Sequence, residues 1–294
     1  MVLRYEGSIW RPPSEARSLI LQATVGCSHN ACTFCVSYKK KKFHVRGTEG
    51  ITADLDTLPP HYLNSVQRVF LADGDALAMS TGEILDVLCI LHDRLPRLER
   101  TGVYAYAKNV REKTVEDLQN LYRAGLGIVY LGLETGDDEI LREVRKGVTN
   151  EENIAACRKI REAGIPLSLT VILGLGGQQR SKKHAIATAK ALNAIDPEYV
   201  GALTLMTPRG TPLAEMVRSG EFEPMSPLSI LEELRLLVEH LDLSNCVFRT
   251  NHASNYLPLG GQLNRDRESL LETLTRVIEG KDTSSLRPDF TRGL

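Results

Sequence analysis

The chain has 294 residues, with 36 Lys or Arg against 37 Asp or Glu, and 42% of its residues are hydrophobic. This is the composition of an ordinary globular protein. A formal net charge of -1 gives no global reason to expect binding to nucleic acid or to an anionic membrane. No apolar stretch approaches the roughly 18 residues of a membrane span, and residues 1–10 lack a signal-peptide pattern. We therefore expect a cytoplasmic protein with no membrane partner.

Short apolar segments predict the β-strands. Each is biased towards β-branched or aromatic residues and is followed by turn-forming residues. They are Ser18–Gly26, Arg68–Gly74, Gly102–Ala107, Ile128–Thr135, Ile165–Leu173 and Tyr199–Thr207. Apolar residues at helical spacing predict the helices between them. These are Thr81–Leu95, Thr114–Ala124, Asp137–Arg145, Asn150–Ala163 and Ser181–Ala194.

This order of elements predicts repeated βα units, which form either a doubly wound open sheet or a barrel. The chain contains no Gly-x-x-x-x-Gly-Lys-Ser/Thr, and no Gly-x-Gly-x-x-Gly follows its first strand, so the P-loop and Rossmann interpretations lack their signatures. Polar residues alternate along the strands, as at Tyr104 and Tyr106. This pattern fits a face that lines a cavity and equally a face of buried, hydrogen-bonded residues. We predict an α/β fold, a partial TIM-type (β/α)6 barrel.

The last part of the chain departs from the repeating pattern. We assign residues 1–17 to an N-terminal arm, residues 18–220 to the barrel and residues 221–294 to an extension that covers an open side of the barrel. The extension has too little apolar content for a core of its own, and residues 284–294 are predicted to be a mobile tail. Its other predicted elements are a helix at Ser226–Leu241, a candidate strand at Cys246–Thr250, a loop at Asn251–Gly261 and a helix at Asp266–Glu279.

Three of the six cysteines, Cys27, Cys32 and Cys35, lie within nine residues directly after the first predicted strand. Parallel α/β folds build their sites at this edge. Three thiolates can bind three irons of a [4Fe-4S] cube and leave the fourth iron open. The alternative is a structural zinc site with His29 or His44 as fourth ligand, although the sequence offers no second ligand pair. The spacing favours an iron-sulfur cluster and leaves the zinc site as the alternative.

The cysteine segment resembles the radical S-adenosylmethionine (radical SAM) superfamily, in which three cysteines follow the first strand of a partial (β/α)6 barrel. The usual spacing is Cys-x3-Cys-x2-Cys, and this chain is one residue longer, with Cys-x4-Cys-x2-Cys. Phe34 fills the position before the third cysteine, where the family often has an aromatic residue. The resemblance implies one [4Fe-4S] cluster and S-adenosylmethionine as cofactors.

Later segments extend the resemblance over residues 18–207. Asp73, Gly74 and Asp75 stand where the family has a Gly-Gly-Glu-like segment that holds the methionine amino group. A plain Asp-Gly turn is the alternative. Residues 131–141 are similar to the fourth strand of elongator-like, methylthiotransferase-like and coproporphyrinogen oxidase-like members. That similarity implies that two further residues contact the ribose, namely Glu134 and Thr135.

Two further assignments follow from the same resemblance. Arg145 is implied as a partner of the methionine carboxylate, with Arg158 as a competitor and a solvated helix face as the alternative for both. Residues 171–177 resemble the fifth-strand motif that runs beside the adenine, which implies that Ile172 and Leu173 contact the cofactor.

The resemblance implies reductive cleavage of S-adenosylmethionine to a 5′-deoxyadenosyl radical that abstracts hydrogen from a substrate. It leaves the substrate open. A small molecule is favoured, because the remaining cysteines are too dispersed for a second cluster and no RNA-binding appendage is evident. The alternatives are the same chemistry on RNA or on a protein chain, and a zinc-binding barrel without radical chemistry.

Other segments are candidates for substrate or partner contacts. The Lys39–Lys42 run is expected to be a solvated helix face. The functional alternatives are docking of an acidic flavodoxin- or ferredoxin-like electron donor and binding of an anionic substrate. His252, in the predicted loop at residues 251–256, is a candidate acid-base residue, with a structural role as the alternative. Met206, Thr207 and Arg209, at the end of the sixth predicted strand, are candidate substrate contacts.

Overall fold

The computed structural model describes residues 3–281 and 283–293. Its strands are β1 (Leu19–Leu21), β2 (Thr24–Val25), β3 (His44–Val45), β4 (Arg68–Leu71), β5 (Arg100–Ala105), β6 (Leu126–Glu134), β7 (Leu167–Leu173), β8 (Tyr199–Thr204), β9 (Cys246–Arg249) and β10 (Gly260–Leu263). Its helices are α1 (Gly47–Leu55), α2 (Pro60–Leu63), α3 (Thr81–Arg94), α4 (Ala107–Glu112), α5 (Val115–Arg123), α6 (Asp138–Glu143), α7 (Asn150–Glu162), α8 (Gly177–Ile195), α9 (Pro212–Ser219), α10 (Pro227–His240) and α11 (Arg267–Gly280).

The first of two compact units is built on parallel strands. It comprises the described residues of Met1–Asn30, Ser37–Leu131 and Ala155–Leu167. Strand β1 pairs with β4, β4 with β5, and β5 with the first part of β6, all in parallel. The short strands β2 and β3 form a separate antiparallel pair. Helix α3 packs against α1 and α5.

The second unit continues the parallel arrangement and ends with an antiparallel strand. It comprises the described residues of Ala31–Val36, Gly132–Ile154 and Ser168–Leu294. Strand β8 pairs in parallel with both β7 and β9, while β10 pairs antiparallel with β9. Helix α10 packs against α8 and α11. The alternation of parallel strands and helices confirms the predicted α/β class.

Local sequence signals account for most of the element boundaries. Helix α3 begins after Ser80, whose hydroxyl accepts from the backbone N–H of Glu83 while the Glu83 carboxylate accepts from the Ser80 backbone, which is a capping box. Thr114 and Asp117 form the same motif before α5. The predicted strand at Cys246–Thr250 is present as β9. Helix α8 begins four residues before its predicted start, at Gly177.

Three predicted elements differ from the structure. The first predicted strand is divided into β1 and β2 by residues 22 and 23. The predicted loop at residues 251–261 is a loop up to residue 259, and its last two residues begin β10, because pairing with β9 overrides the low strand propensity of a Gly-Gly pair. The described part of the predicted mobile tail is anchored, since Arg287 and Arg292 donate to backbone carbonyls of residues 252–255.

No helix in residues 3–281 and 283–293 combines the length and apolarity that crossing a bilayer requires.

A buried carboxylate fastens the N-terminal residues to the first unit. Glu15 is fully buried and accepts hydrogen bonds from the Arg100 guanidinium, at 2.5 Å, and from the Tyr130 hydroxyl, at 2.5 Å. The Ser18 hydroxyl donates to the other carboxylate oxygen. The Tyr130 ring belongs to a buried cluster with Phe70 and Ile128. The predicted arm therefore shares the core of this unit.

We expect Glu15→Ala to lower the free energy of unfolding by about 3 kcal/mol, because Arg100 and Tyr130 then lose a charged partner in the protein interior. Urea denaturation followed by circular dichroism measures the effect. The exposed Glu112 provides the control, and Glu112→Ala should change stability by less than about 0.5 kcal/mol. Equal effects of the two substitutions would contradict a fastening role for Glu15.

Candidate active site

In the first unit, the loop that carries Cys27 rests on the end of strand β4. The Gly26 backbone N–H donates to the Asp73 carboxylate at 2.7 Å, and the Gly74 N–H donates to the Gly26 carbonyl at 2.8 Å. A Cβ added to Gly74 would lie 2.6 Å from the Cys27 Cβ. Glycine at position 74 is therefore required for Cys27 to sit against this strand end.

The Asp73 side chain is occupied within the protein. It is fully buried at a left-handed backbone position, with φ of 71°. Its carboxylate accepts from Lys41 Nζ at 2.8 Å and from Gln22 Nε2 at 3.1 Å, in addition to Gly26. The sequence assigns Asp73 to the cofactor, whereas these contacts give it the task of holding the cysteine loop.

The lysine run belongs to the same arrangement. Residues 37–40 form a turn and not the expected helix. Lys39 Nζ donates to the Asn30 carbonyl at 2.7 Å, and Asn30 Nδ2 donates to the Tyr38 carbonyl at 2.8 Å. Two of the four lysines thus point inward, Lys39 to the loop that follows Cys27 and Lys41 to Asp73, while Lys40 and Lys42 are exposed.

Asp75 has the opposite character to Asp73. It is fully buried and accepts from the Ser28 hydroxyl at 2.5 Å, from the Tyr106 backbone N–H at 3.2 Å and from Asn109 Nδ2. Burial raises its pKa to about 6, against the lowering effect of these hydrogen bonds. Within the described part of the chain, no cation forms an ion pair with this carboxylate, and the charge of Lys113 only partly offsets the effect of burial on its pKa.

The aromatic residues of β5 divide between core and site. Tyr104 packs edge-to-face on Phe70, with ring centroids 4.9 Å apart, and belongs to the core of the first unit. Tyr106 follows the strand and stacks on the His29 ring at 4.9 Å. The alternating pattern therefore has a core residue at Tyr104 and a site residue at Tyr106.

In the second unit, backbone hydrogen bonds fix the turn that carries Cys32 and Cys35. The Cys35 N–H donates to the Cys32 carbonyl at 3.4 Å. Between them, Thr33 donates to the Val144 carbonyl at 2.9 Å and accepts from the Leu213 N–H at 3.1 Å. All three cysteines of the motif are half-buried, and none is in a disulfide.

Phe34 connects this turn to the strand that carries the predicted adenine contacts. Its ring packs on a buried cluster that includes Ile140, Val144, Ile172 and Leu175. Leu173 is buried beside Ile172 at the end of β7. The structure therefore brings two predicted cofactor residues, Phe34 and Ile172, into one apolar surface.

Glu134 forms a buried ion pair. It lies at the end of β6 in a left-handed conformation, with φ of 63°, and accepts from Lys146 Nζ at 2.8 Å. A Cβ on Gly132 would lie 2.0 Å from the Glu134 carboxylate, so glycine makes room for this pair. Arg145, the predicted partner of the methionine carboxylate, is exposed. Sequence analysis missed Lys146 as the partner of Glu134. Its position next to Arg145 is the feature of the sequence that could have suggested it.

Thr135 is buried in a polar network. Its hydroxyl lies 2.8 Å from His184 Nδ1 and accepts from the Asp137 backbone N–H at 3.0 Å. His184 Nε2 donates to the Ile172 carbonyl at 3.1 Å and lies 3.5 Å from the Glu233 carboxylate. Since a carbonyl only accepts, Nε2 carries a hydrogen.

Glu233 joins the network to the end of strand β7. It is buried on α10, and its carboxylate accepts from the Gly174 N–H at 2.6 Å. Sequence analysis missed both His184 and Glu233. The available signal for Glu233 is a charged residue on the apolar face of an amphipathic helix, between Ile230 and Leu237.

The candidate substrate and acid-base residues lie in a loop, at a cavity wall and on the surface. His252 Nδ1 accepts from the Ser254 backbone N–H at 3.1 Å, and both burial and Arg287 lower the pKa of its imidazole. This contact shapes its own loop. Met206 and Thr207 line a cavity, whereas Arg209 is exposed.

Within residues 3–281 and 283–293, no three side chains of His, Cys, Asp or Glu are grouped to hold one metal ion. Zinc takes all of its ligands on one ion, at about 2.0–2.3 Å. A [4Fe-4S] cube instead takes each thiolate on a different iron. Thiols outside disulfides, on turns held by backbone hydrogen bonds, fit that donor set.

Comparison with known proteins identifies the family. A family model described as the radical SAM superfamily matches residues 21–189. The chain belongs to this superfamily. Its enzymes use a [4Fe-4S] cluster and S-adenosylmethionine.

Two relatives illustrate the range of the family. 4'-Phospho-dehydrooxetanocin synthase of Priestia megaterium is 27% identical over 173 residues, which cover 53% of this chain and 23% of that protein. A tRNA-2-methylthio-N(6)-dimethylallyladenosine synthase of Dictyoglomus thermophilum is 28% identical over 195 residues, covering 64% and 43%. This chain therefore spans less than half the length of these curated relatives.

Solved structures show the fold. The crystal structure of methylornithine synthase has a TM-score of 0.54 at 17% identity, covering 87% of this chain and 68% of that one. Coproporphyrinogen III oxidase from Escherichia coli, a radical SAM enzyme, has a TM-score of 0.54 at 17% identity, covering 76% and 52%. These likenesses confirm the predicted fold class, the partial TIM-type barrel of the radical SAM enzymes.

We expect Lys41→Met to loosen the Cys27 loop, because the buried Asp73 then lacks its cation at a cost of about 3–5 kcal/mol. Alkylation of the metal-free chain with iodoacetamide, followed by peptide mass spectrometry, should show faster labelling of Cys27. The exposed neighbour Lys40 supplies the matched control, and Lys40→Met should label Cys27 at the wild-type rate. If Lys41→Met behaves like Lys40→Met, the ion pair does not hold the loop.

The raised pKa of Asp75 predicts a pH dependence of stability. Between its unfolded value of 3.8 and its folded value of about 6, the native state binds the proton more tightly, so stability falls as pH rises through this window. The loss should be on the order of 3 kcal/mol. Urea denaturation of the metal-free wild type and of Asp75→Asn, between pH 4 and pH 6.5, measures it. The neutral variant should lack this slope, and parallel curves for the two proteins would refute the shift.

Proposed function

We propose that this protein is a radical SAM enzyme that binds one [4Fe-4S] cluster through Cys27, Cys32 and Cys35 and acts on a small molecule. The observation that carries the proposal is Asp75. This buried carboxylate directly follows Gly74, against which Cys27 packs. Its hydrogen-bond donors in the described residues, Ser28, Asn109 and the Tyr106 backbone N–H, are all neutral, and its pKa is raised. Such a group is stabilised by an incoming cation, and the amino group of S-adenosylmethionine is one.

The two carboxylates after β4 have separate tasks in this proposal. Asp73, paired with Lys41, fixes the loop that presents Cys27. Asp75, held in orientation by Ser28 and Asn109, accepts the methionine ammonium of the cofactor. The family resemblance supports a contact between this segment and the amino group. The hydrogen bonds favour Asp75 over Asp73 as the residue that makes the contact.

The second unit supplies apolar and polar walls in this proposal. Phe34 and Ile172 offer apolar side chains for the adenine. The Glu134 carboxylate, held by Lys146, is the acceptor for a ribose hydroxyl. Thr135 acts through its buried network and keeps the ends of β6 and β7 in place.

Held by Cys27, Cys32 and Cys35, the reduced cluster would supply one electron for cleavage of S-adenosylmethionine to methionine and a 5′-deoxyadenosyl radical, which would abstract a hydrogen atom from the substrate. The electron comes from a flavodoxin- or ferredoxin-like donor, for which the exposed lysines Lys40 and Lys42 offer positive charge.

A small molecule is favoured over RNA as substrate. The formal net charge of -1 gives no global attraction to a polyanion, and two of the four lysines in the basic run are turned inward. Relatives named as tRNA-modifying synthases keep RNA as the second candidate. The cytoplasmic location stays a prediction from sequence.

The proposal predicts a spectroscopic response to the cofactor. The protein, reconstituted and reduced without oxygen, should show a [4Fe-4S]+ electron paramagnetic resonance signal that changes shape when S-adenosylmethionine is added. Slow formation of 5′-deoxyadenosine under reducing conditions should accompany it. Bound zinc without sulfide, or a cluster signal indifferent to the cofactor, would overturn the proposal.

Asp75→Asn should weaken S-adenosylmethionine binding by about 10- to 100-fold, because it removes a charge-assisted hydrogen bond. The iron content should be preserved, because Asp75 is no cluster ligand. Titration of the cofactor against the change in the resonance signal measures the loss. Asp86, exposed on α3, is the control, and Asp86→Asn should bind as the wild type does. Unchanged affinity in Asp75→Asn would exclude the ammonium contact.

A further inference from the structure

A cavity of about 620 Å³ lies entirely within the second unit. Its wall includes Gly174 after β7, Thr204 and Met206 at the end of β8, and Met225 in the loop before α10. Tyr256 and Arg292 close it from the side of the C-terminal segment. The volume lies within the range of small-molecule sites.

The position of the cavity suits a substrate. Gly174 directly follows Ile172 and Leu173, the residues that the family resemblance places beside the adenine. Leu205, which also lines the cavity, packs on the same apolar cluster as Phe34. A ligand in this cavity would therefore lie next to the strand end proposed to hold the cofactor.

The wall combines polar side chains with an apolar part. Met206, Met225, Ile230 and Leu205 contribute aliphatic and thioether groups. Methionine side chains are flexible and polarizable, so they adapt to the shape of an apolar ligand. The ligand should consequently have a hydrocarbon portion.

Arg292, the cation of the cavity wall, already makes hydrogen bonds within the protein. Arg292 donates from Nε to the Ser254 carbonyl at 2.7 Å, from a terminal nitrogen to the Leu205 carbonyl at 3.0 Å, and from the other to Asp289 at 2.6 Å. Its guanidinium also lies 4.0 Å from the centre of the Tyr256 ring. These contacts hold the C-terminal segment against the cavity and leave little of the charge for an anionic ligand.

The acidic groups of the wall outweigh this cation. Asp289 shares its charge with Arg292 and also accepts from the Tyr256 hydroxyl at 2.8 Å. Burial and this hydrogen bond raise the pKa of Tyr256 to about 12, so the phenol is neutral at physiological pH. Glu223 is exposed at the wall and has no ion-pair partner in residues 3–281 and 283–293. The lining therefore carries one net negative charge.

We infer that this cavity binds the substrate, and that the substrate is a small molecule with a hydrocarbon portion and an amino group, with no phosphate or carboxylate anchored here. That the ligand of this cavity is the substrate of a radical reaction rests on the proposed function. The cavity and its charge preference stand independently of the cluster. Glu223 is the specificity-determining residue that faces the ammonium.

Three six-carbon probes of matched length test the charge preference, namely hexan-1-amine, hexan-1-ol and hexanoate. Saturation-transfer difference NMR with the reconstituted full-length chain at pH 7.5 gives their dissociation constants. Hexan-1-amine should bind about tenfold more tightly than hexanoate, with hexan-1-ol between them, since one exposed charge pair contributes up to about fivefold on either side. Equal or tighter binding of hexanoate, or no binding of any probe, would overturn the inference.

Variants locate the effect. Glu223→Gln should reduce the preference for the amine to about twofold, whereas Glu221→Gln, two residues away and outside the cavity wall, should preserve it. Thr207→Trp should fill the cavity and reduce binding of all three probes. An undiminished preference in Glu223→Gln would remove Glu223 from the site. Amine binding without a cofactor-responsive cluster would reject the radical function and retain the amine-binding cavity. A cofactor-responsive cluster without a preference for the amine would retain the radical function and reject the proposed cavity.

Discussion

The buried ion pair between Lys41 and Asp73 is the interaction on which the first half of the site depends. A carboxylate with no exposed surface is costly unless it is paired and hydrogen-bonded. Asp73 meets this condition through Lys41, Gln22 and the Gly26 backbone. Because Gly26 directly precedes Cys27, satisfying Asp73 also fixes the cysteine loop. The contacts that neutralise the buried Asp73 carboxylate therefore also position the Cys27 thiol.

Asp75 differs from Asp73 in a way that indicates which ligand group the site can bind. Two acidic residues separated only by Gly74 occupy equally buried positions, but among residues 3–281 and 283–293 only the first forms an ion pair. The second is held by a hydroxyl, an amide and a backbone N–H, which orient the carboxylate without neutralising it. A raised pKa at such a position reports a charge that the fold itself does not balance. A ligand ammonium would balance it.

The second unit uses a comparable division of labour. Thr135, His184 and Glu233 form a buried chain that joins the ends of β6 and β7, and its members are directed at one another and at backbone groups. Glu134 stands beside this chain with its charge held by Lys146. The C-terminal segment completes the unit through Arg292, which serves backbone carbonyls and the Tyr256 ring together. Buried polar groups thus hold the strand ends, and apolar groups line the space between them.

The sequence alone determined the α/β class, the βα order, most helix boundaries and the cysteine motif, because hydrophobic periodicity, capping boxes and short spacings are local signals. It placed Asp75, Phe34 and Ile172 in the candidate site through family resemblance. The tertiary structure alone decided that Asp73 pairs with Lys41, that Glu134 pairs with Lys146 and that Glu233 reaches Gly174. These choices depend on which charged groups are buried together. Partners such as Asp73 and Lys41, 32 residues apart in the chain, are brought together only by packing, and no local pattern reports that.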